Sequence, residues 1–247
     1  MSNEKLVAGQ MIEDKIPWLS PYNTDFPPVS SAIKEPNGLL AIGGDLSEKR
    51  LIEAYRRGIF PWYEEGQPIL WWSPDPRAVL IPKDLKISTS LKKVLNKQTY
   101  TVTFDAAFEA VITACAGPRQ GAKGTWITPE MIDAYIRLHK AGVAHSVESW
   151  LGGKLAGGLY GINLGRIFFG ESMFSHQDNA SKVAFVHLVK QLEKWQFPII
   201  DCQVSNPHLI SLGTTKIPLA QFCQYLDRYV DLPEPESWCL DWNFDKH

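Results

Sequence analysis

Four stretches of the 247-residue chain repeat their apolar residues every three or four positions, the spacing of one face of an α-helix. In the first, Leu51, Ile52 and Tyr55 follow Ser47, which suits an N-cap, and Gly58 suits a stop. In the second, Phe108, Val111, Ile112 and Cys115 follow Asp105 as the expected cap and precede Gly117. Thr128-Pro129 opens the third, with Met131, Ile132, Tyr135 and Leu138 inward and Gly142 as terminator. The fourth runs from Asp178 to Trp195 and aligns Phe185, Leu188, Val189, Leu192 and Trp195. Between the third and fourth the pattern changes. HSVESWL (145–151), GGLYGINL (157–164) and RIFFGESMF (166–174) read as a three-strand meander, turned through Gly152-Gly153-Lys154 and Asn163–Gly165. FPIIDCQV (197–204) is a short, nearly continuous apolar run of the kind a buried strand shows. Helices, a meander, a long helix and a last strand predict a mixed α/β or α+β layered domain of about 150 residues.

The first third of the chain reads differently. Residues 1–45 are rich in Pro, Ser, Asn and Gly and predict an arm with little regular structure. IFPWYEEGQPILWWSPDPRAVLIP (59–82) is aromatic and punctuated by Pro61, Pro68, Pro74, Pro76 and Pro82. Such spacing breaks long helices and central strands, so a rigid lobe of loops held by ring packing is expected. The boundary near residue 76 divides the chain into a lobe (1–76), a main domain (77–232) and an acidic tail (233–247). Inside the meander, Gly157, Gly158, Gly161 and Gly170 either admit a ligand or backbone closely or ease twist and bulges.

Hydrophobic residues at 45% and charged residues at 21% are values of a folded globular protein. No stretch nears the roughly 18 apolar residues of a membrane span, and MSNEKLVAGQMIEDKIP lacks the apolar core of a secretory signal. Cys115, Cys202, Cys223 and Cys239 form no CxxC pair, which fits reduced thiols in a cytoplasmic protein. The net charge of −2 excludes a uniformly basic surface but not a local one. Residues 77–124 hold 8 basic residues against 3 acidic, whereas residues 1–75 hold 7 against 11. That basic stretch (Arg77, Lys83, Lys86, Lys92, Lys93, Lys97, Arg119, Lys123) is a candidate for facing phosphates, or an ordinary solvated face.

The chain lacks a GxxxxGK[ST] phosphate loop, a GxSxG elbow and any His/Cys grouping with zinc spacing. It does embed an acid in apolar sequence. Glu171, in FFGESMF, needs a partner or a ligand, since burying a lone carboxylate costs several kcal/mol. In IIDCQVSN, an unbroken strand points Asp201 and Gln203 to the same face, with Asn206 following; the group serves either a reacting centre or nearby loop amides. Of nine tryptophans, Trp62, Trp71, Trp72 and Trp126 sit in loop-like sequence, where a ring that is not core can stack on a base.

These residues belong to an ordered set: EPNGLLAIGGDLS (35–47), RRGIFPWY (56–63), ILWWSPDPRAVL (69–80), GTWIT (124–128), HSVE (145–148), FFGESMFS (168–175), NASK (179–182) and IIDCQVSN (199–206). The set resembles that of the bacterial leucyl/phenylalanyl-tRNA–protein transferases, over roughly residues 26–226. The resemblance implies a small N-terminal lobe and a GCN5-type N-acetyltransferase-like C-terminal domain, a mixed sheet with flanking helices. The turn before its long helix, Ser175-His176-Gln177-Asp178-Asn179, has no glycine to cradle a CoA pyrophosphate.

The implied activity moves Leu, Phe or, less well, Met from aminoacyl-tRNA to the α-amine of proteins with N-terminal Arg or Lys, marking them for N-end rule degradation. The ester is already activated, so no cofactor or metal is expected. By likeness, Gln203, oriented by Asp201 and supported by Asn206, forms the catalytic group. Glu171 grips the donor's α-amino group or ribose end. Met173, Leu159, Ser175 and Leu188 border the side-chain pocket, and Phe168 and Gly170 join the substrate-binding set. Trp62 and Trp126 hold the terminal adenosine, with Tyr55 and Tyr135 nearby. Arg77, Lys83, Lys86, Lys92, Lys93 and Lys97 contact tRNA phosphates. A cytoplasmic monomer with no membrane contact is implied. Two other readings are an acyl-CoA-dependent acetyltransferase, which fold analogy alone favours, and a non-catalytic RNA-binding module, which the aromatic and basic middle favours.

Overall fold

The computed structural model describes residues 16–117 and 126–244. Arg119 and Lys123 of the basic stretch, the start of GTWIT, the beginning of the arm and the last three residues of the tail lie outside the described residues. The arm and the aromatic stretch, expected to be loops, carry a small sheet. Its strands β1 (Trp18–Leu19), β2 (Leu39–Gly43), β3 (Phe60–Pro61) and β4 (Leu70–Trp72) stand in the order β1-β2-β4-β3. Strands of two to five residues leave little periodicity to read. What holds them is Trp71, fully buried, edge-on to Phe26 and donating its indole N–H to the Gly43 carbonyl at 2.8 Å. Helix α1 (Glu48–Arg56) starts where Ser47 accepts from the Arg50 amide, and buries Leu51 and Tyr55.

The larger sheet contains β5 (Arg77–Leu80), β6 (Thr101–Phe104), β7 (Ala144–Leu151), β8 (Lys154–Leu164), β9 (Ile167–Ser175), β10 (Ile199–Gln203) and β11 (Thr215–Ile217). Their order is β11-β5-β10-β9-β8-β7-β6. β9 and β10 pair in parallel, and the other neighbours are antiparallel. The predicted meander is β7-β8-β9. β5 corrects the expectation that prolines exclude a central strand: Pro76 and Pro82 bracket its four buried residues instead of interrupting them.

Helices α2 (Thr89–Asn96), α3 (Phe108–Cys115), α4 (Pro129–Lys140), α5 (Ala180–Lys194), α6 (Pro207–Ser211) and α7 (Leu219–Tyr229) complete the chain. Successive strand residues feed opposite layers, as a period of two requires. Val79, Tyr160, Ile167, Phe169 and Ile199 join the core shared with α1, α3, α4 and α7. Leu80, Leu159, Phe168 and Ile200 join the core under α2 and α5. Burial on both faces is why the strands read as almost continuous apolar runs. The result is the expected mixed sheet with flanking helices plus a small N-terminal lobe, the lobe being built on a sheet and not on loops.

Asp105 is not the cap of α3. It has φ +55° and uses its carboxylate on the Ser146 amide (2.8 Å) and on His145 Nδ1 (2.7 Å). The amides before α3, Ala106 and Ala107, donate instead to Glu148, a buried acid that Thr103 and Ser146 also satisfy. The meander glycines mostly serve packing. A Cβ on Gly157 would lie 2.6 Å from that of Ala180, and one on Gly161 would meet the Phe168 ring at 2.6 Å. Gly170 differs, with only the Asp201 carbonyl at 3.5 Å.

Candidate active site

The parallel ladder between β9 and β10 ends at the pair Asp201–Phe169. Just beyond it each strand carries one extra residue. On β9, Gly161 pairs with Gly170 but Tyr160 pairs with Ser172, so Glu171 is bulged. On β10, Val79 pairs with Asp201 but Ala78 pairs with Gln203, so Cys202 is bulged. Bulges bend a strand and re-aim its side chains. Where these two strands part, a cavity of about 500 Å³ opens beneath α5 and α6.

Its walls are apolar: Phe60 and Trp62 from the small sheet, Trp126 before α4, Leu159, Phe168 and Met173 from the meander, and Phe185 and Leu188 from α5. Its polar groups gather at the strand ends, chiefly Glu171, Gln203 and Asn206. Of the residues singled out from sequence, Trp62, Trp126, Leu159, Phe168, Gly170, Glu171, Met173, Leu188, Gln203 and Asn206 are brought together here. Trp62 is 44% exposed and leans on Trp72 at 5.7 Å, leaving much of its ring open to the cavity.

Glu171 is the hub of a hydrogen-bond chain. Gln203 Nε2 donates to its Oε1 at 2.6 Å and the Tyr135 hydroxyl to its Oε2 at 2.9 Å. The Tyr55 hydroxyl bonds that of Tyr135. Burial pushes the Glu171 pKa up to about 7, against the pull of the Tyr55, Tyr135 and Gln203 hydrogen bonds, and the negative charge of Asp201 adds to the rise. Burial, with Glu171 nearby, also raises both tyrosines well above the usual phenol range, so they remain donors. Tyr55 and Tyr135 are therefore fully buried supports behind the carboxylate and do not line the cavity, which corrects their placement beside an adenosine.

Asp201 and Gln203 do not share a face. The bulge at Cys202 breaks the alternation, and Gln203 takes φ +59°, a left-handed conformation costing an L-residue roughly 1–2 kcal/mol. Asp201 stays fully buried beneath. It is held bidentately by Arg77, with Nε to Oδ1 at 2.8 Å and an Nη to Oδ2 at 2.6 Å, and Oδ1 also accepts the Gln203 amide at 2.9 Å. The Arg77 guanidinium lies between the Phe60 and Phe222 rings, at 4.8 and 4.9 Å. Arg77 is thus no phosphate contact, because it has no exposed surface. Lys83, Lys86, Lys92, Lys93 and Lys97 are exposed.

Ser175 lies outside the cavity: its hydroxyl donates to the Gln177 carbonyl and accepts the Ser181 amide at the start of α5. Asn206 lines the cavity and caps α6, accepting the Leu209 amide at 2.9 Å. Sequence reasoning missed Phe60, Tyr160, Phe185, Cys202 and His208 in the lining. Phe185 alone left a signal, one helical turn before Leu188. Burial and the charge of Lys182 lower the His208 pKa, and burial raises that of the Cys202 thiol.

A family model described as leucyl/phenylalanyl-tRNA protein transferase matches residues 79–227, and one described as the N-terminal domain of the same transferase matches residues 44–75. The leucyl/phenylalanyl-tRNA–protein transferase of Azotobacter vinelandii is 61% identical over 213 residues, covering 86% of this chain and 94% of that one. The protein of the same name from Nitrosospira multiformis is 58% identical over 227 residues, covering 92% and 97%. Among solved structures, a GCN5-related N-acetyltransferase from Kribbella flavida aligns with a TM-score of 0.33 and 9% identity, over 66% of this chain and 58% of that one.

Proposed function

The chain belongs to the leucyl/phenylalanyl-tRNA–protein transferase family, and from that premise we propose that it moves Leu, Phe and, less readily, Met from aminoacyl-tRNA to the α-amine of proteins beginning with Arg or Lys. The observation that supports this reading best is the cavity itself, apolar along its walls and polar only where β9 and β10 part. A Leu or Phe side chain fills the apolar end between Leu159, Met173 and Leu188, where a flexible thioether accommodates either shape. Glu171 receives the donor's α-ammonium group. Gln203 spends an N–H on Glu171, which leaves its carbonyl oxygen to accept a hydrogen bond from the incoming amine.

The amine nitrogen bonds to the ester carbonyl carbon, the ester C–O bond breaks, and the terminal ribose oxygen leaves with the proton the amine gives up. Holding amine and carbonyl at about 3–3.5 Å supplies much of the acceleration. Asp201 acts one layer down, as a positioning residue. The division near residue 76 places the small sheet, with Trp62, on one side of the cavity and the strands bearing Glu171 and Gln203 on the other. Lys83, Lys86, Lys92, Lys93 and Lys97 face the RNA phosphates, so donor affinity falls as salt rises. The working unit is a monomer in the cytoplasm. Among the described residues no helix is long and apolar enough to cross a membrane.

The direct test supplies labelled Leu-tRNA and a peptide with N-terminal Arg, without ATP. Labelled peptide is expected; an intact ester overturns the proposal. Trp62 and Trp126 seat the terminal adenine, one stacked ring being worth about 1–3 kcal/mol. Trp126→Ala is accordingly expected to weaken donor binding roughly 5- to 150-fold. A binding titration showing unchanged affinity removes Trp126 from that seat.

A further inference from the structure

The family models stop at residue 227, yet the chain beyond α7 does not hang free. Gln191, fully buried on α5, accepts the Asp241 and Trp242 amides at 3.0 and 2.8 Å, and Lys194 pairs with Asp241. These anchors fix Trp238 over the sheet. Its ring stacks on His145 at 3.9 Å and meets Trp195 edge-on at 5.2 Å and Phe168 at 5.8 Å. The buried indole N–H has no hydrogen-bond partner among the described residues, so the ring contributes volume and not a polar bond.

Phe168 is the wall this volume supports. It is 1% exposed, lines the cavity on one side and touches Trp238 on another. Beneath it Gly161 leaves room for the ring, since a Cβ there would lie 2.6 Å from two ring carbons. Of these neighbours Trp238 is the large one that stands outside the cavity, so the space its indole fills is the space into which the Phe168 ring can retreat. We propose that Trp238 is a positioning residue that sets the depth of the side-chain pocket through Phe168, and so sets the upper size limit of the transferred amino acid. This rests on the reading that the cavity receives the esterified side chain.

The test charges one tRNA with Leu, Phe or Trp in turn and compares kcat/KM for wild type and Trp238→Ala. Removing the indole lets Phe168 sink back. The Trp donor is expected to gain at least tenfold relative to Leu, with Trp238→Phe, which restores most of the volume, returning the ratio to near wild type. A folded Trp238→Ala protein with an unchanged Trp-to-Leu ratio, including one in which all three donors fall together, overturns the proposal. If the alanine variant does not fold, Trp238→Leu makes the same comparison. The wild-type Leu reaction separates the two claims: its absence sinks the functional reading and this proposal with it, whereas its presence with unchanged ratios sinks this proposal alone.

Discussion

Replacing Arg77 by methionine is expected to destabilise the protein by about 3–5 kcal/mol and, where the variant is still folded, to slow aminoacyl transfer by on the order of a hundredfold. Neither Arg77 nor Asp201 has solvent-exposed surface, so loss of the guanidinium strands a carboxylate in the core. For a chain of this size each kcal/mol shifts the melting temperature by about 2–4 °C, which makes the expected fall on the order of 10 °C. The activity loss has a separate cause. Asp201 Oδ1 receives the Gln203 amide at 2.9 Å and helps hold that residue at φ +59°, the turn that delivers its side chain to Glu171. Once Asp201 loses its partner, that turn loosens, and a displacement of about 1 Å at a reacting group is enough for a loss of this size.

The double variant Arg77→Met/Asp201→Leu separates the two effects. Replacing a buried ion pair by apolar residues of similar volume is often neutral or stabilising, so the melting temperature should largely recover. Transfer should not recover, because the Gln203 amide has lost its acceptor. Recovery of both would reduce the pair to core packing, and full activity in a folded Arg77→Met protein would free Gln203 from any dependence on it.

This pair also marks where reading the sequence stops. The α1 and α4 helices were legible because periodicity, cap and glycine stop agree, α5 because its apolar spacing runs over 15 residues, and the meander because its apolar runs are separated by glycine turns. The small sheet was not, since strands such as Phe60–Pro61 are too short to carry a period. At the site, Glu171 stood out because an acid inside an apolar run must find a partner, and it found Tyr135 and Gln203. Unbroken alternation would put Gln203 on the same face as Asp201; one extra residue, Cys202, reverses the direction of Gln203, and nothing in IIDCQVSN announces it. Arg77 counted as surface charge because a tally along the chain cannot tell a solvated cation from one between two phenyl rings.

Glu171→Gln is expected to produce a protein less active and more stable than wild type. Burial raises the Glu171 pKa from 4.5 to about 7. The folded state therefore binds more protons than the unfolded chain between those values, and stability falls as pH rises across that window. The full loss is on the order of 3 kcal/mol and is complete above about pH 7. Glutamine carries no charge to desolvate. It still accepts from Tyr135, and Gln203 can turn its amide end over to accept in its turn, so the hydrogen-bond chain survives. Unfolding measured from pH 5 to 8 should show wild type losing stability relative to the variant, the contributions of His187 and His208 being common to both. Transfer should move the other way. An α-ammonium group binds the carboxylate and not the acid. Beside the rise that deprotonation of the acceptor's own α-amine at about pH 8 gives any variant, wild-type kcat/KM should therefore carry an additional limb that climbs up to tenfold per pH unit below about 7 and then flattens. In Glu171→Gln that limb should vanish, and at pH 8 loss of a charge-assisted hydrogen bond should cost roughly 10- to 100-fold in kcat/KM. A variant that keeps this additional limb would assign it to another group, and one that keeps wild-type efficiency at pH 8 would take Glu171 out of contact with the donor.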